Sequence, residues 1–185
     1  DKVVWLGHRF RELSRFVQHH TGASQNAVPR SGLYLRALCT GIEEVLTRYT
    51  ERVSELEQQV LDDPGLPLSH VHCAMRDYAR TLPAIHELIV TVERRSLSGG
   101  QILEELHRRS HSGFPLVRSC MLRLQRLCLS VLYNHMSAWV SHGILSDQYG
   151  EFFIKHDDLE PSVTEQRGTD GAHRFNALSL IHISE

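Results

Sequence analysis

The stretch PLVRSCMLRLQRLCLSVLYNHMSAWVSHG, residues 115–143, decides the fold class of this 185-residue chain. Its apolar positions recur at alternating steps of four and three residues, which is the spacing of one buried face of an α-helix. They are Val117, Met121, Leu124, Cys128, Val131, His135 and Ala138. Pro115 suits the first turn of a helix, and Gly143 suits the left-handed position just beyond a helix end. The stretch therefore predicts one long helix from Pro115 to about His142.

Four further helical patterns precede this helix, and no segment has sustained strand alternation. They cover about residues 3–20, 33–61 and 69–95, and the short segment between Gly100 and the sequence RRSHSG. The second pattern repeats every seven residues at Ile42, Tyr49 and Leu56, as a coiled-coil or bundle seam does. We predict an all-α fold, an elongated bundle of about five helices with antiparallel neighbours.

Two details of the third pattern are predicted from its residue types. Ser69 is a suitable N-cap for the start of this helix. Pro83 lies inside the pattern, where the missing backbone donor is expected to kink or split the helix near Leu82.

The chain changes character at residue 157. DDLEPSVTEQRGTDGAHRFNALSLIHISE is polar, rich in Gly and Pro, and without periodicity, so residues 157–185 are expected to form a disordered tail. The final NALSLIHISE is typical of translated adaptor sequence and not of a native protein. Residues 1–156 are expected to form one helical domain, truncated at its N-terminus because the chain begins in mid-pattern without Met.

Composition excludes several classes of protein. No apolar run approaches the length of about 20 residues that crosses a bilayer, so no membrane partner is expected. The formal net charge is −2, whereas nucleic-acid-binding proteins usually carry a basic excess, so no nucleic-acid partner is expected. The cysteines are far apart without a Cys-x-x-Cys pair, which favours reduced thiols.

The sequence LSGGQ, residues 97–101, matches the signature of ATP-binding-cassette ATPases. Such an ATPase also needs a phosphate loop of the form G-x-x-x-x-G-K-[ST]. The only lysines are Lys2 and Lys155, and neither lies in such a loop. Gly99 and Gly100 are therefore interpreted as a turn between two helices, with Ser98 or Gly100 near the cap. No nucleotide or other cofactor is expected.

Thirteen histidines suggest metal binding as an alternative. The candidate clusters are His19 with His20, His70 and His72 with Cys73, and His107 with His111. No Glu or Cys completes the His107 and His111 pair, and no H-E-x-x-H motif occurs, so we expect no metal site.

Enzymatic function has little support in the sequence. The G-x-S-x-G elbow of a serine nucleophile is absent. A cysteine nucleophile stays open, because Cys, His and Asp are all present, but three of the four cysteines lie in apolar helical stretches, where thiols are usually inert. They are Cys39, Cys120 and Cys128. The chain is not expected to be an enzyme.

Two regions carry opposite charge. Residues 43–63 contain seven acidic residues and two arginines, and residues 106–146 contain five arginines and no acidic residue. The five are Arg108, Arg109, Arg118, Arg123 and Arg126. They form either two solvated helix faces or complementary surfaces, within the bundle or between neighbouring copies. RNA binding is disfavoured because no aromatic residue lies among the arginines of 118–126.

The segment SAWVSHGILSDQYGEFFI, residues 137–154, resembles a motif of the gamma-tubulin complex components, the proteins that build the microtubule-nucleating ring. The matching residues are Trp139, Val140, Gly143, Leu145, Asp147, Glu151, Phe152, Phe153 and Ile154. The segments SGLYLRALCTGIEEVL, QQVLDDPGLPLSHV and GGQILEELHRRSHSGFPLVRS agree with the same family. The resemblance covers about residues 3–158. Within the family these residues are expected to pack the first domain, with Trp139 largely buried, and not to mark a site.

The resemblance implies an N-terminal, all-α Grip domain with a structural role in the gamma-tubulin ring complex. The domain is expected to make lateral contacts with other components, and Arg118, Arg123 and Arg126 are the candidate contact residues. Gamma-tubulin itself is expected to bind a C-terminal domain of the family that is absent from these residues. The implied location is the cytoplasm and cytoskeleton, at microtubule-organising centres such as the centrosome and spindle pole. The alternative is a generic helical adaptor that binds a partner helix.

Overall fold

The computed structural model describes residues 2–22, 32–145, 147–155 and 182–183. The predicted disordered tail, residues 157–185, therefore lies outside the described residues except for positions 182 and 183.

Six helices make up most of the described residues: α1 Lys2–Thr21, α2 Leu33–Asp62, α3 Leu68–Ala74, α4 Tyr78–Arg95, α5 Gly100–Ser110 and α6 Pro115–His142. Two residues of β1, Ile154–Lys155, pair antiparallel with two of β2, His182–Ile183. The prediction of an all-α fold is confirmed. None of the described helices has the length and apolarity that a membrane span requires.

Helix α6 has the boundaries that its sequence predicts. Pro115 is its first residue, where the missing backbone donor costs nothing. Gly143 ends it with φ of 65°, and its N–H donates to the carbonyl of Trp139 at 2.9 Å. A left-handed residue after the last turn is readily supplied by glycine, which has no Cβ to clash.

The expected break in the third helical pattern lies elsewhere. The chain turns at Met75–Asp77, between α3 and α4, and Pro83 sits inside an unbroken α4. The prediction of a split near Leu82 was therefore wrong. Because α4 begins at Tyr78, Pro83 lies in its second turn, close to the N-terminal end where lost donors are best tolerated. Ser69 is also not the N-cap, because α3 begins at Leu68 after Pro67.

Helices α2 and α6 run antiparallel through the middle of the bundle. Arg123 on α6 contacts Glu44 on α2, and the Cys128 thiol lies 3.7 Å from the carbonyl of Tyr34, near the start of α2. The two backbones approach closely at Gly41, where a Cβ would lie 2.6 Å from the Leu124 side chain. A larger residue at position 41 would therefore separate the central helices.

The remaining helices enclose this pair. On one side α1 packs on α2, where the Phe10 and Tyr49 rings lie 5.2 Å apart, and Tyr49 contacts Tyr78 of α4 at 5.3 Å. On the other side α5 packs on α6 and α4. Fully buried side chains from α1, α2, α4, α5 and α6 form one core, among them Leu13, Leu38, Ile85, Leu106 and Leu124.

Candidate functional site

The first predicted contact residue, Arg123, is used within the chain. Its Nε donates to Oε2 of Glu44 at 2.9 Å, and its Nη2 lies 2.6 Å from the same oxygen. Both side chains are about two-fifths exposed, at 42% and 39%. An ion pair this exposed contributes about 0–1 kcal/mol, so it sets the register of α2 against α6 more than it stabilises the fold. One acidic residue of α2 and one arginine of α6 are thus complementary inside the bundle.

Arg118 and Arg126 differ from Arg123. Both are exposed, and within the described residues neither side chain has a hydrogen bond or an ion pair. Successive residues of an α-helix are about 100° apart, so Arg118 and Arg126 are separated by about 80° around α6, whereas Arg123 lies about 140° from Arg118. The three arginines therefore do not share one narrow face. Arg118 and Arg126 are the two that remain available to a partner.

Apolar side chains continue the face of α6 that carries these two arginines. Tyr133, Met136 and Val140 are 62%, 36% and 71% exposed, and all three fall within the same arc of about 80°. We call Arg118, Arg126, Tyr133, Met136 and Val140 the outer face of α6. The apolar part of this face was not predicted from the sequence, because only one apolar stripe, on the buried side, was assigned to α6. A helix that is apolar on more than one side is usually covered on more than one side.

The two remaining arginines of the basic region are neutralised locally. Glu105 of α5 is only 5% exposed and accepts hydrogen bonds from Nε of Arg108, at 3.0 Å, and from Arg109. Arg109 also donates to Oγ1 of Thr91 on α4 at 2.9 Å. The hydrogen bond from Arg108, together with that from Arg109, holds the pKa of Glu105 below its ordinary value. This cluster ties α5 to α4 and is not free for a partner.

The segment after α6 folds back over the ends of two helices through Glu151. Its carboxylate accepts the N–H of Tyr34 at 3.4 Å and of Gly99 at 3.2 Å. These donors lie at the N-terminal ends of α2 and α5, where backbone N–H groups lack helical partners and the helix dipole is positive. A Cβ on Gly32 would collide with the Glu151 carboxylate, and one on Gly99 would lie 2.7 Å from the Glu151 carbonyl oxygen. Gly32 thus makes room for the Glu151 carboxylate, and Gly99 makes room for the Glu151 backbone.

Gly99, which contacts Glu151, is the middle residue of the LSGGQ sequence. Gly99 has φ of 52° and borders Glu151, while Gly100 begins α5 with nothing near its Cβ position. The N-cap of α5 is Gly99, and the Ser98 N–H just before it donates to Oε1 of Gln101 at 3.4 Å. The pentapeptide is thus a helix start.

Several other residues of the family motif form a turn after α6 or pack against the bundle. Asp147 orders the turn by accepting the N–H of Tyr149 at 3.3 Å and of Phe152 at 2.7 Å. Phe152 and Ile154 are buried, and Phe152 lies 5.5 Å from the His135 ring. Leu145 lies in the short connection after Gly143, and Phe153 is 40% exposed.

Trp139 is partly covered: it is less buried than Cys128 and less exposed than its neighbour Val140. The apolar stripe of α6 is fully covered as far as Cys128 and only partly covered beyond it, because α2 begins at Leu33, opposite the region of His135. The last turns of α6 therefore extend beyond the start of α2, and Trp139 lies on these turns.

The histidine and cysteine clusters gain no further ligands from the fold. Over residues 2–22, 32–145 and 147–155, no group of three His, Cys, Asp or Glu side chains is placed to hold a metal ion. Burial raises the pKa of Cys39 and of Cys128 to about 12, and that of Cys120 to about 11. Since the thiolate is the reactive form, these three thiols are inert at neutral pH. Cys73 is exposed.

Comparison with known proteins relates the chain to one family. A family model described as the N-terminal part of gamma-tubulin complex components matches residues 1–179, further than the resemblance in the sequence extends. The chain is 33% identical to gamma-tubulin complex component 4 of Homo sapiens over 179 residues, which is 92% of this chain and 27% of that protein. It is 32% identical to the component 4 homolog of Medicago truncatula over 95% of this chain and 25% of that protein.

A different component type also matches. The chain is 26% identical to component 3 of Arabidopsis thaliana over 80% of this chain and 19% of that protein. The chain spans about a quarter of the length of the component 4 relatives that it matches.

Proposed function

Because the chain belongs to the gamma-tubulin complex component family, we propose that it is a non-enzymatic scaffold of the gamma-tubulin ring complex that makes lateral contacts with neighbouring components. A structural role in the gamma-tubulin complex follows from membership of the family. The lateral contact, ring assembly and microtubule nucleation are the further steps of the proposal. The corresponding location is the cytoplasm and cytoskeleton, at microtubule-organising centres such as the centrosome and spindle pole.

The observation that carries the proposal is the outer face of α6. It combines exposed apolar side chains with two arginines whose side chains have no partner among the described residues, all on one side of α6. Apolar area removed from water contributes about 25 cal/mol per Å² and supplies most of the affinity of such a contact. Exposed ion pairs add only about 0–1 kcal/mol each, so Arg118 and Arg126 would mainly steer encounter and fix register.

The proposal leaves gamma-tubulin binding to residues outside this chain. The resemblance implies that gamma-tubulin binds a C-terminal domain of the family, and this chain spans about a quarter of the length of its component 4 relatives. We propose that the partners of this chain are other gamma-tubulin complex components and that it does not contact gamma-tubulin directly. Purified gamma-tubulin should therefore fail to bind the isolated chain.

The steering role of the arginines is testable by charge reversal. The double variant Arg118→Glu, Arg126→Glu is expected to associate with the N-terminal part of another component, such as component 3, about tenfold more slowly at low salt. Its association rate should also depend less on ionic strength. Stopped-flow fluorescence measures both, and an unchanged helical circular dichroism signal shows that the fold is intact.

A matched control is available on α1. Arg11 and Arg15 are also exposed, and Arg11→Glu with Arg15→Glu makes the same change in net charge. This control should associate at close to the wild-type rate. If both double variants slow association equally, only net charge matters and the outer face of α6 is not the contact.

A further inference from the structure

The apolar seam of α2 continues beyond the helices that cover it. Ile42, Leu46, Tyr49 and Leu56 are buried, in agreement with the seven-residue repeat. Further along the same helix Val60 is 42% exposed and Leu61 is 69% exposed. Helix α6 begins at Pro115 and runs antiparallel to α2, so the last turns of α2 extend past its start. Helix α6 therefore does not cover the end of the seam.

Helix α3 turns this end of α2 into a groove. Its floor is formed by the buried side chains Tyr49, Leu56 and Met75, and its walls include Val53, Val60 and Val71. The groove is open to solvent along its length and has a volume of about 320 Å³. This volume falls within the range of about 300–1,000 Å³ that is typical of binding sites.

One acidic side chain lines the groove, and the sequence around it is rich in carboxylates. Glu57 lines the groove, and residues 51–76 contain five carboxylates and two arginines. One of those arginines, Arg52, is already paired with Glu55 at 2.7 Å. The C-terminal end of α2 adds the negative pole of its dipole, and its last turn carries no basic side chain to offset it. An apolar groove close to this negative charge favours a ligand whose apolar face is bordered by positively charged side chains.

We propose that the groove between α2 and α3 binds an amphipathic helix of a partner protein, with an apolar stripe bordered by lysines or arginines. Such a helix inserts side chains spaced three and four residues apart into the groove, replacing the missing neighbour of the α2 seam. Its basic border faces Glu57 and the α2 terminus. The site uses no residue of α6, so it is separate from the lateral contact proposed above.

Two synthetic peptides test the charge preference. Both are about 18 residues long, roughly five helical turns, with leucines at the same positions, and they differ in carrying lysine or glutamate beside the stripe. In fluorescence anisotropy with the full 185-residue chain, the lysine peptide should bind saturably and at least about tenfold more tightly than the glutamate peptide, a difference of about 1.4 kcal/mol. Added salt should reduce the difference. Equal binding of the two peptides, or no saturable binding of either, overturns the proposal.

One pair of variants locates the binding. Leu61→Lys and Val140→Lys place the same charge at positions that are 69% and 71% exposed, so neither is expected to unfold the chain. Leu61→Lys, in the groove, removes apolar contact and repels the basic border, so it should weaken the lysine peptide at least about tenfold. Val140→Lys, on the outer face of α6, should leave the lysine peptide unchanged. The opposite pattern, or equal losses, would place the peptide elsewhere. A dimer that light scattering detects in the wild type and not in Leu61→Lys would identify a second copy as the occupant and overturn the proposed partner.

Discussion

At the scale of single residues, Glu151 does the most to join distant parts of the chain. It is more than 110 positions from Tyr34 in sequence, yet its carboxylate caps the N-terminal ends of both α2 and α5. The cap needs bare backbone at Gly32 and Gly99. The resemblance to the family motif identified Glu151 as structural. Its two partners were not predictable, because helical periodicity carries no information on contacts between ends of different helices.

The two adjacent glycines of LSGGQ give a matched test of this contact. Gly99→Ala places a Cβ 2.7 Å from the Glu151 carbonyl oxygen in a backbone conformation with φ of 52°. Its free energy of unfolding is expected to fall by about 1–3 kcal/mol, the usual cost of such strained backbone. Gly100→Ala meets nothing within 4 Å and starts a helix, so its stability should stay the same or rise by up to about 1 kcal/mol.

Urea denaturation followed by circular dichroism measures both changes. Equal effects of the two substitutions would show that Gly99 does not hold the position beside Glu151 described above.

At the scale of elements, helix α6 was predicted to its ends and the third helical pattern was not. Pro115 and Gly143 are local signals whose physics does not depend on neighbours. The turn at Met75–Asp77 contains neither proline nor glycine, while Pro83, in the second turn of α4, offered a false signal. Beyond Cys128 the apolar stripe of α6 is also less fully covered than its period suggests. A period identifies the buried side of a helix but not how far its neighbours extend along it.

The contact between α4 and α5 predicts a pH dependence of stability. Because the pKa of Glu105 is lower in the folded chain than its ordinary value near 4.5, the folded state prefers the ionised form. The stability from this group is therefore complete above the unfolded pKa and is lost as the pH falls through the lower folded pKa. Partial desolvation raises the pKa of Glu12, and the hydrogen bond from Arg9 lowers it. The net pKa shift of Glu12 is downward, so this group also contributes stability that is lost as the pH falls.

The variant Glu105→Gln isolates the contribution of this helix contact. Its stability is expected to be lower than that of the wild type at pH 7 and to decrease less between about pH 5 and pH 3. The urea midpoint of each protein, measured across this pH range, gives the pH dependence of its stability. Parallel pH curves for the two proteins would mean that the Glu105 charge is not linked to folding.

At the scale of the whole molecule, charge is arranged differently from what the counts along the sequence suggested. Of the five arginines between residues 106 and 146, Arg108 and Arg109 bind Glu105, and Arg123 binds Glu44. Only Arg118 and Arg126 face outward without partners among the described residues, and Tyr133, Met136 and Val140 share their side of α6. The bundle thus presents a mixed apolar and basic face on α6 and an apolar groove beside the acidic end of α2.

The most direct test of lateral assembly is photo-crosslinking from the outer face of α6. A benzophenone amino acid replaces Tyr133, 62% exposed on that face, or Trp5, 43% exposed on α1, and the chain is irradiated in an extract that contains gamma-tubulin complexes. Mass spectrometry then identifies the cross-linked partner. The proposal predicts that position 133 cross-links to another gamma-tubulin complex component and that position 5 does not. Cross-links from position 133 to no component, or equal cross-linking from both positions, would contradict it.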